Sequence, residues 1–141
     1  MVTADRAAAV ELASAGTVVV TPDDRGRLTR THHFLDPSLA AGELRGRREP
    51  ETNDRHRLLT RRVPGHSGPL DPGALARLLD AHRDDGAEVR CHAPVGGAPG
   101  DRRATLATVA VDPEGRSLAV HAGGPCTAGP STWTELTAPT R

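Results

Sequence analysis

The chain has 141 residues and carries 18 basic residues against 18 acidic ones, a length that fits one domain and a balance that leaves no basic footprint for nucleic acid. No apolar run approaches the ~18 residues of a membrane span. Leu, Val, Phe and Ile together make only 26 of the 141 residues, a share that signals disorder only when joined to high net charge, so the expectation is a folded domain with a thin core.

The N-terminus, Met1 to Arg6, lacks a basic stretch followed by an apolar one, so no signal peptide is expected. Ala7 to Ala13 is ambiguous between an Ala-rich helix and a strand turning at Ser14-Ala15-Gly16; it is taken as the opening strand of a meander. Thr17-Val18-Val19-Val20-Thr21 is β-branched and stops at Pro22, which predicts a strand. Asp23-Asp24-Arg25-Gly26 is a turn, and Arg27 to Phe34 alternates loosely as a third strand. Residues 37–52 form a charged connection, and Arg55 to Arg62 a short basic helix with Leu58 and Leu59 inside. A loop over 63–69 follows. Asp71 as N-cap with Pro72 at the first helical position opens the clearest helix, with Leu75, Leu78, Leu79 and His82 on one face and Asp84-Asp85-Gly86 at its end. Glu88 to Ala93 is a short strand and 94–103 a loop. The best hairpin pairs Leu106–Val111 with Ser117–Ala122 across Asp112-Pro113-Glu114-Gly115. Both its faces are partly apolar, so it is expected between two layers.

Ile, Lys, Gln and Tyr are absent, all 18 basic residues are Arg, and Phe and Asn occur once each. This is the pattern of a GC-rich genome, so Arg abundance says nothing about phosphate binding. Arg61-Arg62 and Arg102-Arg103 are read as solvated faces, and two aromatics, Phe34 and Trp133, cannot build a base-stacking platform. With no Lys and no Gly-x-Gly-x-x-Gly, the Gly96-Gly97 and Gly123-Gly124 pairs are not phosphate loops.

His32 and His33 are adjacent on an expected strand. They therefore face opposite ways and cannot share one metal; both are ordinary polar residues unless one faces a site. Cys91-His92 and His121 with Cys126 lack the close pairs of a zinc site, so no metal and no cofactor is expected. A Cys–His dyad would need a remote partner such as His32 or His121, and nothing selects one. The two cysteines give no disulfide framework, which places the chain in a reducing, cytoplasmic setting.

Several phrases, in order, resemble one family. Leu28-Thr29-Arg30-Thr31-His32-His33-Phe34-Leu35 is similar to the His-Thr-Asn-His-Phe-Leu segment of acyl-coenzyme A:6-aminopenicillanic acid acyltransferase-like proteins, the isopenicillin N acyltransferase relatives among the cysteine Ntn hydrolases. Thr52-Asn53-Asp54-Arg55 resembles that family's Ser-x-x-Arg. Leu79-Asp80-Ala81-His82 and Val89-Arg90-Cys91-His92 resemble its Leu-x-Asp-His helix end and Ile-Cys-Arg-His. Thr105 to Pro113, with Leu118-Ala119-Val120 and Gly123-Gly124-Pro125-Cys126, resembles its Thr-Val-Ala-Ser-Val-x-x-Asp hairpin and Gly-Pro-Pro-Cys end.

The resemblance spans residues 7–136 of a single domain 1–141, leaving 137–141 as a tail, and covers the family's C-terminal half alone. It implies an α+β fold: part of an αββα Ntn-hydrolase sandwich, mostly antiparallel strands with one or two helices. In the family a self-cleavage exposes an N-terminal cysteine that attacks an amide or thioester, with its own α-amino group as base. Residues 1–6 contain no Cys, and Thr3 would need unusual trimming to serve. His32 stands where the family has an oxyanion-side Asn; an imidazole reaches differently, and losing one oxyanion donor costs ~10²–10³ in rate. Arg55 matches the family's arginine and would orient a carboxylate or the nucleophile. Cys and Arg are exchanged at Arg90-Cys91, which puts each on the other sheet face.

The expected function is therefore the C-terminal portion of an acyltransferase or amidohydrolase, truncated or degenerate and inactive alone, with His32 and Arg55 as its site residues. One alternative is a subunit that completes a split enzyme, its partner being an N-terminal half or separate chain with the cysteine nucleophile. The other is a non-catalytic binding or interaction module. A helix over 72–83 lying across the hairpin sheet favours the sandwich readings; a hairpin covered on one side with a polar second face favours the module. A small acyl substrate is expected if the chain is active, and neither nucleic acid nor membrane is an expected partner. A thin core missing one layer also predicts marginal stability.

Overall fold

A computed structural model describes residues 2, 6–44, 51–68, 70–89, 92, 96 and 104–139. The fold is α+β, with three α-helices and two antiparallel sheets among the described residues. The chain clusters into two compact units, Met1–Gly65 and His66–Arg141; the single domain expected over 1–141 spans both. No helix among the described residues is long and apolar enough to cross a membrane.

The first unit opens on a hairpin of β1 (Ala9–Ala13) and β2 (Gly16–Val20), paired from Ala9 with Val20 to Ala13 with Gly16. The strand reading of the Ala-rich opening holds, because its β-branched partner supplies the ladder. The pleat is inverted relative to an ordinary amphipathic strand. Glu11 points inward and is fully buried, whereas Val10, Leu12 and Val19 on the other face are 41–68% exposed. The turn after β2 forms as expected: the Asp23 carboxylate accepts from the amides of Arg25 (3.0 Å) and Arg27 (2.8 Å), and Gly26 takes the left-handed φ of 72° that the turn needs.

The third meander strand expected over Arg27–Phe34 does not form. The amides of the following stretch go to side chains instead of a neighbouring strand: His32 to Thr52, Phe34 to Glu43, and Leu35 and Asp36 to Glu11. Asp36 then caps the four-residue α1 (Pro37–Ala40), accepting from Ser38 N at 2.8 Å. The basic helix is longer than expected, α2 (Glu51–Arg62), with Thr52, Leu58 and Leu59 buried. Its C-terminal end is held by the Asp23 turn: Arg25 donates to Pro64 O at 3.1 Å and Arg27 to Val63 O, so two guanidiniums sit at the negative end of the helix dipole.

In the second unit Asp71 caps α3 (Pro72–Leu79), its carboxylate accepting from Ala74 N at 2.7 Å. The expected Leu75–Leu78–Leu79–His82 face is not the buried one. Ala74 and Ala76 are buried, the three leucines are half-buried, and His82 is exposed beyond the helix end. Asp85 takes the His82 amide at 2.8 Å and winds Arg83–Asp85 into a 3₁₀ turn that closes at Gly86, which ends the helix early. Glu88 and Val89 are not in a strand; Arg90, Cys91 and Ala93 of that expected strand, and the 94–103 loop apart from Gly96, lie outside the described residues.

The hairpin is present as β3 (Ala107–Asp112) and β4 (Ser117–Ala122), and a third strand, β5 (Trp133–Thr137), pairs with β4 in the order β3–β4–β5. Residue 137, expected in the tail, closes that strand. Helix α3 contacts β3 and the 3₁₀ turn Pro125–Thr127 that follows β4. It shares linings with Ala110, Ala119 and Glu135, which places it over the inner sheet face. The outer face carries Val109, Val120, Val111, Leu118 and Leu136 in register, and Val109, Val111 and Leu136 there are 52–67% exposed. The sheet therefore has one helical layer and one open apolar face, where the sequence suggested cover on both. Among the described residues, the buried aliphatic side chains of this unit are alanines, Ala74, Ala76, Ala81, Ala87 and Ala119. Each contributes far less than the ~1.5–3 kcal/mol of a buried Leu or Val.

Candidate functional site

The two residues singled out by the sequence both lie in the first unit, His32 in the stretch before α1 and Arg55 on α2. Thr52 links the two elements. It lies in the first turn of α2 and is fully buried, and its hydroxyl oxygen accepts from the His32 amide at 3.0 Å. Arg55 is three residues on, on the same side of the helix. Its side chain is half-buried, and its Nε is buried without a hydrogen-bond partner. A guanidinium N–H left unmet in this way is a donor available to an acceptor such as a carboxylate. The His32 ring is exposed, and the backbone of His32, not its ring, makes the link to α2.

His33 occupies a different environment from His32, as expected of adjacent residues. Thr31 Oγ1 donates its single proton to Thr52 O at 3.0 Å, so its 2.9 Å contact with His33 Nδ1 requires that nitrogen to carry the hydrogen. The neutral ring then keeps its lone pair on Nε2. His56 approaches edge-on, with ring centroids 5.1 Å apart and planes at 82°, and its Nε2 donates to Thr29 O at 3.3 Å. Burial, and then the charge of His56, push the His33 pKa below its ordinary value; Glu43 and Glu11 oppose the shift, and Arg30 adds to it.

Glu11 anchors the far end of the same loop. Its carboxylate accepts from Leu35 N at 2.9 and 3.1 Å and from Asp36 N at 3.0 Å, with Arg30 Nε 3.6 Å away. Sequence reasoning passed over Glu11, Glu43 and Thr31. The signal for Glu11 was a lone carboxylate inside an otherwise apolar strand.

Among the described residues the remaining candidates do not assemble into reaction centres. His121 is buried, and both its ring nitrogens are engaged, Nδ1 with Thr132 O at 3.3 Å and Nε2 with Thr127 Oγ1 at 2.9 Å. It has no nitrogen left to activate Cys126, which is half-buried. Cys91, and with it the Arg90-Cys91 exchange, lies outside the described residues; His92 is exposed, its ring 6.0 Å from that of His82. Among the described residues no three His, Cys, Asp or Glu side chains are grouped to hold a metal ion. Comparison with family models, with curated proteins and with solved structures gives no match.

Proposed function

We infer that this chain is the C-terminal portion of a cysteine acyltransferase or amidohydrolase of the Ntn type, inactive alone, with Arg55 and the His32 loop as its contribution to a site for acyl amides or thioesters. The observation that carries the reading is the Thr52 link. It ties the loop of Thr31-His32-His33-Phe34-Leu35 to the helix that carries the Ser-x-x-Arg-like phrase, on which Arg55 Nε is buried without a hydrogen-bond partner. In this role Arg55 takes a carboxylate or orients the nucleophile, and neither internal cysteine replaces an N-terminal one. The setting proposed is cytoplasmic, in keeping with two cysteines that give no disulfide framework.

The split-enzyme variant of this reading is favoured by the open apolar sheet faces. A strand that turns Glu11 inward and Val10 and Leu12 outward, and a sheet that exposes Val109, Val111 and Leu136 opposite its helix, suit a partly assembled sandwich. A binding module with a polar outer face fits these strands less well. The test is turnover of acyl amides and thioesters by the purified chain, alone and with a cysteine-bearing partner chain. No turnover alone, and turnover with the partner that falls on Arg55→Ala, is expected. Hydrolysis by the chain alone at a rate that Arg55→Ala leaves unchanged would overturn the proposal.

A further inference from the structure

The second unit holds a cleft of about 510 Å³ between α3, strands β4 and β5 and the loop after β4. This volume lies in the range of small-molecule sites. The cleft is hollow because small residues stand where the layers meet. Ala119 is directly opposite Glu135 in the ladder, and at Gly73 a Cβ would come 3.5 Å from Arg77 Nη1, so the arginine lies back over the glycine.

Three side chains give the cleft its chemistry. Trp133, the sole tryptophan, and Glu135 are two residues apart on β5 and share its inner face; Arg77 stands on the helical wall. Of the other two carboxylates at the cleft, Asp71 accepts from the Ala74 amide at 2.7 Å, and Asp80 lies 3.7 Å from His82 Nδ1. Arg77 and Glu135 have no ion-pair or hydrogen-bond partner among the described residues. One positive and one negative group, both solvent-exposed and neither engaged by a protein partner among the described residues, thus line the helical and sheet walls of a cleft that also holds an aromatic ring.

A simple anion would bind Arg77 and be repelled by Glu135 and Asp80, and a simple cation would meet the reverse conflict. A ligand carrying both charges satisfies both walls. We propose that this cleft binds a small zwitterion of the α-amino-acid class, its carboxylate on Arg77, its ammonium on Glu135 and its apolar side chain against Trp133. None of the residues of the Thr52 cluster takes part, so the site stands apart from the acyltransferase reading.

Trp133 reports occupancy directly. Titration of the full chain with L-leucine, followed by tryptophan fluorescence and by calorimetry, is expected to give a saturable signal. Leucinamide, which lacks the carboxylate, and N-acetyl-leucine, which lacks the ammonium, are each expected to bind at least tenfold more weakly. Arg77→Met should weaken leucine to the level of leucinamide, and Glu135→Gln to the level of N-acetyl-leucine. The comparison of ligands on the unmodified chain holds even if a variant folds poorly. Absence of saturation with leucine in both measurements, or equal binding of leucine, leucinamide and N-acetyl-leucine, would overturn the proposal.

Discussion

Replacing Glu11 by Ala should be among the most damaging single changes in the first unit, although the residue is charged and stands in a strand. Its carboxylate is fully buried and serves two backbone amides, Leu35 and Asp36, through three contacts of 2.9–3.1 Å. Removing it orphans both donors at about 1–3 kcal/mol each. Leu35 and Asp36 are half-buried, so water meets part of that loss. Arg30 is exposed enough that its 3.6 Å contact adds under about 1 kcal/mol. The expected destabilisation is about 2–4 kcal/mol for Glu11→Ala and about 1–2 kcal/mol for Glu11→Gln, which keeps one acceptor oxygen. Urea denaturation followed by circular dichroism measures this. Hydrogen exchange should show the Leu35 and Asp36 amides losing protection first. A Glu11→Ala change within about 0.5 kcal/mol of the parent, the range of a plain surface substitution, or amides that stay protected, would refute this account of the loop.

Three further outcomes follow from the same structure. The folded-state pKa of His33 is depressed, so the unfolded chain binds the proton more readily; stability should be full well above the ordinary histidine value of about 6.5 and decline as pH falls through it. The urea midpoint should therefore drop from pH 7.5 to 5.5, and drop less in His33→Asn, which keeps a donor toward Thr31; an equal drop in both would remove His33 as the cause. Arg116 holds a left-handed φ of 50° in the β3–β4 turn, a conformation costing about 1–2 kcal/mol for a residue with a Cβ, against about 0.5–1 kcal/mol of extra backbone entropy for glycine. Arg116→Gly should then raise stability by up to about 1 kcal/mol while Arg116→Ala does not, and a glycine variant less stable than the alanine one would contradict this. The alanine core and open sheet faces predict a broad thermal transition below the ~45–65 °C of ordinary mesophile domains; a sharp transition well above that range would show the exposed strands to be covered.

The sequence made legible whatever depends on neighbours in the chain. Both hairpins and the Asp71 cap rest on local β-branched runs, turn residues and an Asp-Pro pair, and each forms where expected. Features that depend on distant partners were not legible. The 27–34 segment has strand-like alternation, yet its neighbourhood is decided by acceptors at Glu11, Glu43 and Thr52, 9–25 residues away from the amides they take. His82 leaves the expected face of α3 because the helix ends at Leu79 and Asp85 captures the His82 amide. The hairpin's apolar pattern on both faces was read correctly, but pattern alone cannot tell a covered face from an open one. At the site, the phrases containing His32 and Arg55 were visible separately, and their junction through Thr52 needed the fold.

The most direct test of the central claim is acyl-thioester turnover by this chain reconstituted with a separate chain that supplies an N-terminal cysteine half of the Ntn type. Co-purification of the two chains, turnover in the mixture and in neither chain alone, and a loss of about 10²-fold on Arg55→Ala are predicted. Turnover by this chain alone, failure of the chains to associate, or a reconstituted rate indifferent to Arg55 would contradict it.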